Sequence, residues 1–328
     1  MSKIFCTLFV LLISCSPSTS TTHFKGCSMT MNYHVVIGQK LSKEKQKQIS
    51  LAIDKIFNQT DRIYNNWNPS SEISQINQTS KTLPISISKQ LKDLLVRCDE
   101  CYQITEHRFD PTIGSIFNTW KKALIKNYIP KEPANEAVGW QNIILHELSL
   151  QKKYSKCQFD LCGISKGYTI DLISEKLSSL GFENFFVEWG GEIFAMGLHP
   201  EKRKWRVLIN NLSESANSSV LLKDNAIATS GSSMLYSWEA DGKSYFHIFD
   251  PKSKKPLETA HISTVTVIAD KCYLADAVAT AAMTFTDLDE LRKWGLIVIK
   301  SCPKVSSIII KFKDNTIERI PNEGHYFF

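Results

Sequence analysis

Apolar residues recur along the chain at two spacings. Ile49, Ile53, Ile56 and Ile63 fall three, four and seven apart, which predicts a helix from about Ser42 to Asn65 with one buried stripe. Leu91, Leu95, Cys98 and Tyr102 predict a second helix, with Ser88 as its N-cap. Ile170, Ile173, Leu177 and Leu180 predict a third, closed by Gly181. CYLADAVATAAMTF from Cys272 and DLDELRKW from Asp287 predict two more. Short runs rich in β-branched and aromatic residues predict strands between them. These are residues 28–38, NIILHE (142–147), Gln158 to Leu161, FFVEW (185–189), WRVLIN (205–210), AIATSG (226–231), YFHIFD (245–250), STVTVIA (263–269) and SSIIIKF (306–312). Strands interleaved with helices, and no internal repeat, predict an α+β (mixed α/β) body with one main core.

The N-terminus departs from this pattern. Lys3 precedes a short apolar run, Ile4 to Ile13, which ends in Leu12-Ile13-Ser14-Cys15. That run is shorter than the roughly 18 to 20 apolar residues of a spanning helix. A basic residue, a short apolar stretch and a small residue before the cut are the parts of an export signal. The cysteine after Leu-Ile-Ser resembles a bacterial lipobox. Residues 1–14 then read as a lipoprotein signal peptide, and residues 15–26 as a lipidated Cys15 with a flexible Ser/Thr/Pro tether. The expected location is the bacterial cell envelope, lipid-anchored and facing the periplasm.

Over 328 residues the chain is 43% hydrophobic and 22% charged, with a net charge of +6. Basic and acidic residues alternate rather than cluster, which argues against nucleic acid as a partner. Cys98 and Cys101 form a C-x-x-C. They lie on the predicted second helix with no further Cys or His pair to complete a zinc set, so thiols on a helix face are the better reading.

Several segments carry candidate chemistry. In DLCGISKG (160–167) an acidic residue and a glycine turn lead into a helix whose first turn holds Lys166. Helix N-termini attract phosphate, and Lys166 adds a full charge. In ADAVAT, Asp276 and Thr280 lie four apart and share an Ala-rich face. A carboxylate and a hydroxyl there suit a hard cation such as Mg²⁺. Each has a plain alternative, a tight turn with a solvated lysine and an Asp that caps a helix. His247 sits in YFHIFDP, a short apolar strand where a lone histidine is more often packed and hydrogen-bonded than a base. Asp110, Thr112 and Gly114 crowd the turn in FDPTIGSI, Gly190-Gly191 permits close backbone approach, and AIATSGSS is a small polar loop.

In this order, Met29-Thr30-Met31-Asn32-Tyr33, WNPSSEIS, FDPTIGSI, DLCGISKGYTID, GGEI, AIATSG, HIFDP and ADAVATAA resemble the motifs of the ApbE family of FAD:protein FMN transferases. The matches run through nearly all of residues 27–328, which the resemblance makes one flavin transferase domain. It implies that Asp276 and Thr280 ligate Mg²⁺ with the carbonyl of Gly163, and that Met29, Trp67, Arg108, Phe109, Asp110, Asp160, Lys166, His247 and Ile248 line the FAD site. It makes His247 the candidate general base. The implied partners are FAD as substrate and an acceptor with a Thr/Ser flavinylation motif, such as a subunit of a Na⁺-pumping NADH:quinone reductase. Two rivals share these residues: an FAD pyrophosphatase releasing FMN and AMP, and a non-catalytic flavin-binding lipoprotein. The chain departs from the family pattern at Thr30-Met31 (for Gly-Thr), at Cys162 and Ser165 (for Gly and Ala), and at Trp67 (where tyrosine is common).

Overall fold

A computed structural model describes residues 20–130, 137–209, 219–232, 237–258 and 261–321. Cys15, the signal segment and Ser233 of the polar loop lie outside them. In chain order the elements are β1 (Thr22–Ser28), β2 (Met31–Ile37), α1 (Lys43–Ile63), α2 (Glu72–Gln78), β3 (Ile85–Ser86), α3 (Lys89–Ile104), α4 (Gly114–Ile125), β4 (Ile143–Leu145), β5 (Ser149–Lys152) and α5 (Ser165–Ser179). Then come β6 (Phe185–Trp189), β7 (Glu192–Met196), β8 (Trp205–Leu208), β9 (Ser219–Leu222), β10 (Asn225–Gly231), β11 (Ser237–Ala240), β12 (Lys243–Phe246), β13 (Phe249–Asp250) and β14 (Lys255–Pro256). The last are β15 (Ile262–Ala269), α6 (Cys272–Ala282), α7 (Leu288–Ser301), β16 (Val305–Phe312) and β17 (Ile317–Ile320). This is the expected mixed fold.

Eight strands form one antiparallel sheet in the order β1-β2-β6-β7-β10-β15-β16-β17. Its two faces follow the period of two along each strand. Val35, Val187 and Phe194 face helices α1 and α5, while Val265, Val267, Ile308 and Ile310 face α3, α6 and α7. Val36, Ile193, Ile227, Ile268 and Ile309 face the other way, where the β8–β9 hairpin covers them with Trp205, Val207, Val220 and Leu222. Helix α6 is buried almost throughout, and its alanines let α5 and the β10–β15 pair approach on both sides.

The helices follow their sequence patterns. Ser42 and Ser88 cap α1 and α3 by accepting the backbone N–H groups of Lys45 and Leu91. On α1, Ile49 and Ile53 are buried together with Phe57, while Ile56 and Ile63 pack at the margin of the core. Leu91, Leu95, Cys98 and Tyr102 all point inward on α3, and Cys98 and Cys101 are free buried thiols.

Three strand expectations need correction. The stretch 28–38 is the second arm of a hairpin whose first arm, β1, begins at Thr22, inside the stretch read as tether. The connecting residues Met29 and Thr30 have φ of 48° and 66°, so a two-residue turn with both φ positive is built here without glycine. Gln158 to Leu161 is not a strand, and only Gln158 bridges to Ile113. Side-chain amides hold this stretch instead. Asn77 exchanges hydrogen bonds with Phe159 at 2.7 and 2.8 Å, and Asn66 donates to the Phe159 carbonyl and accepts from the N–H of Leu161. YFHIFD is broken at His247-Ile248, between β12 and β13.

Candidate active site

Helices α5 and α6 meet where Gly167 touches the start of α6. A Cβ on Gly167 would lie 2.4 Å from the carbonyl oxygen of Cys272, so only glycine lets the backbones come this close. At this crossing the Gly167 N–H donates to Asp276 Oδ2 at 3.1 Å. Asp171, one turn along α5, accepts the N–H groups of Cys272 and Tyr273 at 2.9 and 2.8 Å. That contact caps α6 from its neighbour rather than from its own N-cap residue, Lys271.

The crossing forms one wall of a cavity of about 230 Å³. The cavity gathers Arg108, Phe109, Asp110, Asp160, Gly163, Lys166, His247, Ile248, Asp276 and Thr280, ten of the residues expected from the sequence. Trp67 stands apart. It is 63% exposed and lines a second cavity of about 260 Å³, which shares Asp160 and Cys162 with the first. Lys121 lies 4.2 Å above its ring. Met29, in the β1–β2 turn, packs against the α1–α5 side of the core and lines neither of these cavities.

Not every gathered residue has a free functional group. Asp110 is buried, and its carboxylate accepts from Thr112 N–H and Oγ1 at 2.8 and 2.6 Å and from Trp140 N–H at 3.2 Å. Burial still pushes its pKa up, against those hydrogen bonds. Asp110 therefore shapes the loop that presents Phe109. Asp160 Oδ1 turns back to its own segment, accepting from Cys162 N–H at 2.9 Å. Arg108 stacks on Phe285 at 3.9 Å, reaches Asp250 at 3.6 Å and donates toward Thr284 at 3.5 Å. It ties the His247–Pro251 loop to the end of α6.

The charged centre is a triad of one half-buried lysine and two buried carboxylates. Lys166 is hydrogen-bonded to Glu192 and lies 3.9 Å from Asp276 Oδ1. Glu192 and Asp276 are each 2% exposed. Burial pushes the Glu192 pKa up, opposed by Lys166 and reinforced by Asp276. Burial likewise raises Asp276, against the pull of Lys166 and the Gly167 N–H. For Lys166 burial works downward, but the two carboxylates outweigh it and its pKa rises.

The donor set fits a hard divalent cation. Asp276 Oδ2 is engaged by backbone, whereas Oδ1 faces Lys166 beyond hydrogen-bond range. One turn further along α6, Thr280 Oγ1 lies 3.2 Å from Ser230 Oγ. A Cβ on Gly163 would stand 2.9 Å from Thr280 Oγ1, so glycine keeps that backbone close to the hydroxyl. These are oxygen donors of the kind Mg²⁺ prefers, and too few to fill its shell, which suits a site completed by phosphate and water. Among the described residues no cluster of three His, Cys, Asp or Glu side chains could hold a metal.

Glu192 and Ser230 were not assigned from sequence. Both lie in segments noted there, and Glu192 had a readable signal. It is acidic, follows a Gly-Gly turn directly, and shares the inward phase of β7 with Phe194.

Fold and site together define a mixed α/β protein built around a charged cleft where α5 meets α6. The ApbE family model matches residues 29–294, and the chain belongs to that family. A protein of Chlamydia pneumoniae named FAD:protein FMN transferase is 39% identical over 302 residues, covering 90% of this chain and 94% of its own. One of the same name from Vibrio cholerae is 29% identical, covering 84% of each. The solved flavin transferase ApbE from Vibrio cholerae superposes with a TM-score of 0.75 at 26% identity, covering 92% of this chain and 96% of that one.

Proposed function

We propose that this chain is a Mg²⁺-dependent FAD:protein FMN transferase, which moves FMN from FAD to a Thr or Ser hydroxyl of a membrane redox subunit and releases AMP. The convergence of Lys166, Asp276, Thr280 and His247 on one cavity at the N-terminus of α5 carries this reading. The relatives' names support the transferase class.

Phosphoryl transfer asks a protein for position and charge neutralisation. Lys166 and the start of α5 would hold the FAD pyrophosphate. Asp276, Thr280 and Gly163 would hold Mg²⁺, which when bound supplies positive charge to the phosphate oxygens. The acceptor oxygen attacks the phosphorus on the riboflavin side, and the bond to the AMP oxygen breaks with its electron pair. His247 takes the hydroxyl proton as general base. Arg108 holds the His247 loop in place through Asp250. Phe109 and Ile248 offer apolar surface to the flavin.

We place the reaction on the outer side of a bacterial membrane, with Cys15 lipidated. The support is the sequence Leu12-Ile13-Ser14-Cys15 after a short apolar run. The acceptor would then share the membrane surface with the enzyme.

The test is incubation with FAD, Mg²⁺ and an acceptor bearing a flavinylation segment, read by intact mass. A gain of one FMN, lost with EDTA and in Asp276→Ala, is expected. Free FMN and AMP without the gain would replace transfer by hydrolysis, and full activity of Asp276→Ala would remove the metal assignment. His247→Ala should bind FAD but transfer about 10² to 10⁴ times more slowly. Loss of FAD binding would make His247 a binding residue instead. Cys15→Ala should leave the membrane fraction.

A further inference from the structure

We infer that Glu192 is a positioning residue that holds the Lys166 ammonium off Asp276, so that Asp276 Oδ1 stays open to the divalent cation. This rests on the reading of Asp276 as a metal ligand.

Three observations carry it. First, Lys166 sits between two buried carboxylates and is hydrogen-bonded to Glu192, while Asp276 Oδ1 is 3.9 Å away. Second, Asp276 Oδ2 is fixed by the Gly167 N–H, so Oδ1 is the oxygen left for a cation. Third, the backbone leading into Glu192 is constrained. Glu192 is the first residue of β7, directly after a turn in which Gly190 and Gly191 have φ of 63° and 101°. A side chain on Gly190 would collide with Met31 Sδ at 2.9 Å, and the Gly191 N–H is fixed by Glu188 at 3.1 Å. The turn therefore fixes the backbone from which the Glu192 side chain reaches Lys166.

The chemistry follows from charge. An ammonium and a dication compete for the same carboxylate oxygen and repel one another. A second buried carboxylate beside Lys166 resolves the competition. It keeps the ammonium in reach of a phosphate while yielding the Asp276 oxygen. Without the Glu192 side chain as its partner, Lys166 would close onto Asp276 Oδ1 and occupy the ligand position.

Metal binding without turnover tests this, using Mn²⁺ as the probe and electron paramagnetic resonance to count free ion, on the full protein without FAD. Glu192→Gln keeps size and hydrogen-bonding shape, and is expected to weaken Mn²⁺ binding about tenfold, a coupling typical of adjacent charged groups. In a Lys166→Met background the same substitution should change binding less than about twofold, because the competitor is gone. An equal loss in both backgrounds would overturn the inference, reducing Glu192 to a nearby negative charge. Unchanged binding in Glu192→Gln alone would overturn it too. Mn²⁺ binding that survives Asp276→Asn, or is absent from the wild type, would defeat the metal reading itself and the inference with it.

Discussion

Gly167→Ala probes the contact on which the site is built. Alanine in the first turn of a helix is favoured over glycine by up to about 1 kcal/mol. Against this, the new methyl would lie 2.4 Å from the Cys272 carbonyl oxygen, 2.6 Å from its carbon and 2.8 Å from Tyr273 Cα. All three are backbone atoms of α6, so no side chain can swing aside, and α5 must move by about 1 Å to restore van der Waals contact. Overpacking of this kind costs about 1 to 3 kcal/mol. The shift also stretches the Gly167 N–H to Asp276 hydrogen bond, worth about 1.5 to 3 kcal/mol to a charged group when intact. With partial relaxation the net loss should be about 2 kcal/mol, or roughly 3 °C in Tm. Urea unfolding followed by far-UV circular dichroism measures it. A variant as stable as the wild type, or more so, would mean that the helices separate freely and that the close crossing is incidental.

Asp171→Asn tests the cap on α6 through pH. Burial pushes Asp171 up to about 7 from an ordinary 3.8, opposed by the Cys272 and Tyr273 N–H groups. Between those values the folded state holds a proton that the unfolded state has lost, so this residue's contribution to stability falls as pH rises, by about 1.4 kcal/mol per unit. The stability of the wild type relative to the variant should therefore fall from pH 4 to 7; a wild-type urea midpoint that rises relative to the variant's over this range would contradict the assignment. Thr30→Gly should stabilise the protein by about 0.5 to 1 kcal/mol, because a β-branched residue at φ 66° bears left-handed strain that glycine does not. A lower melting temperature would count against that turn geometry. In the folded protein a thiol reagent at pH 8 should label exposed Cys27 and spare Cys98, Cys101, Cys157 and Cys272, which are buried with their pKa values raised by desolvation. Peptide mapping reads the pattern, and rapid labelling of Cys98 would place α3 differently.

Helices were legible because their signals are local. The stripes of α1, α3 and α5 and the serine caps lie within a few residues of one another. The Asp276–Thr280 pair was legible for the same reason, being one turn of one helix. What escaped was decided at a distance. The Met29-Thr30 turn carries no glycine or asparagine, so a hairpin looked like one strand preceded by tether. Gln158 to Leu161 has a strand's composition, but Asn66 and Asn77, about 80 to 95 residues earlier, satisfy its backbone. Glu192 gains its meaning from Lys166, 26 residues before it.

The ties made by Arg108 and Gly167 also set a timetable for assembly. Arg108 waits for Asp250 and Thr284, which is 176 residues downstream, and Gly167 waits for Asp276, 109 downstream. A chain emerging from its N-terminus has no complete cleft until residue 284 has been made. Long-range closure of this kind is slow relative to local helix formation. A partly made chain thus lacks the assembled cleft, which is a property of the finished molecule alone.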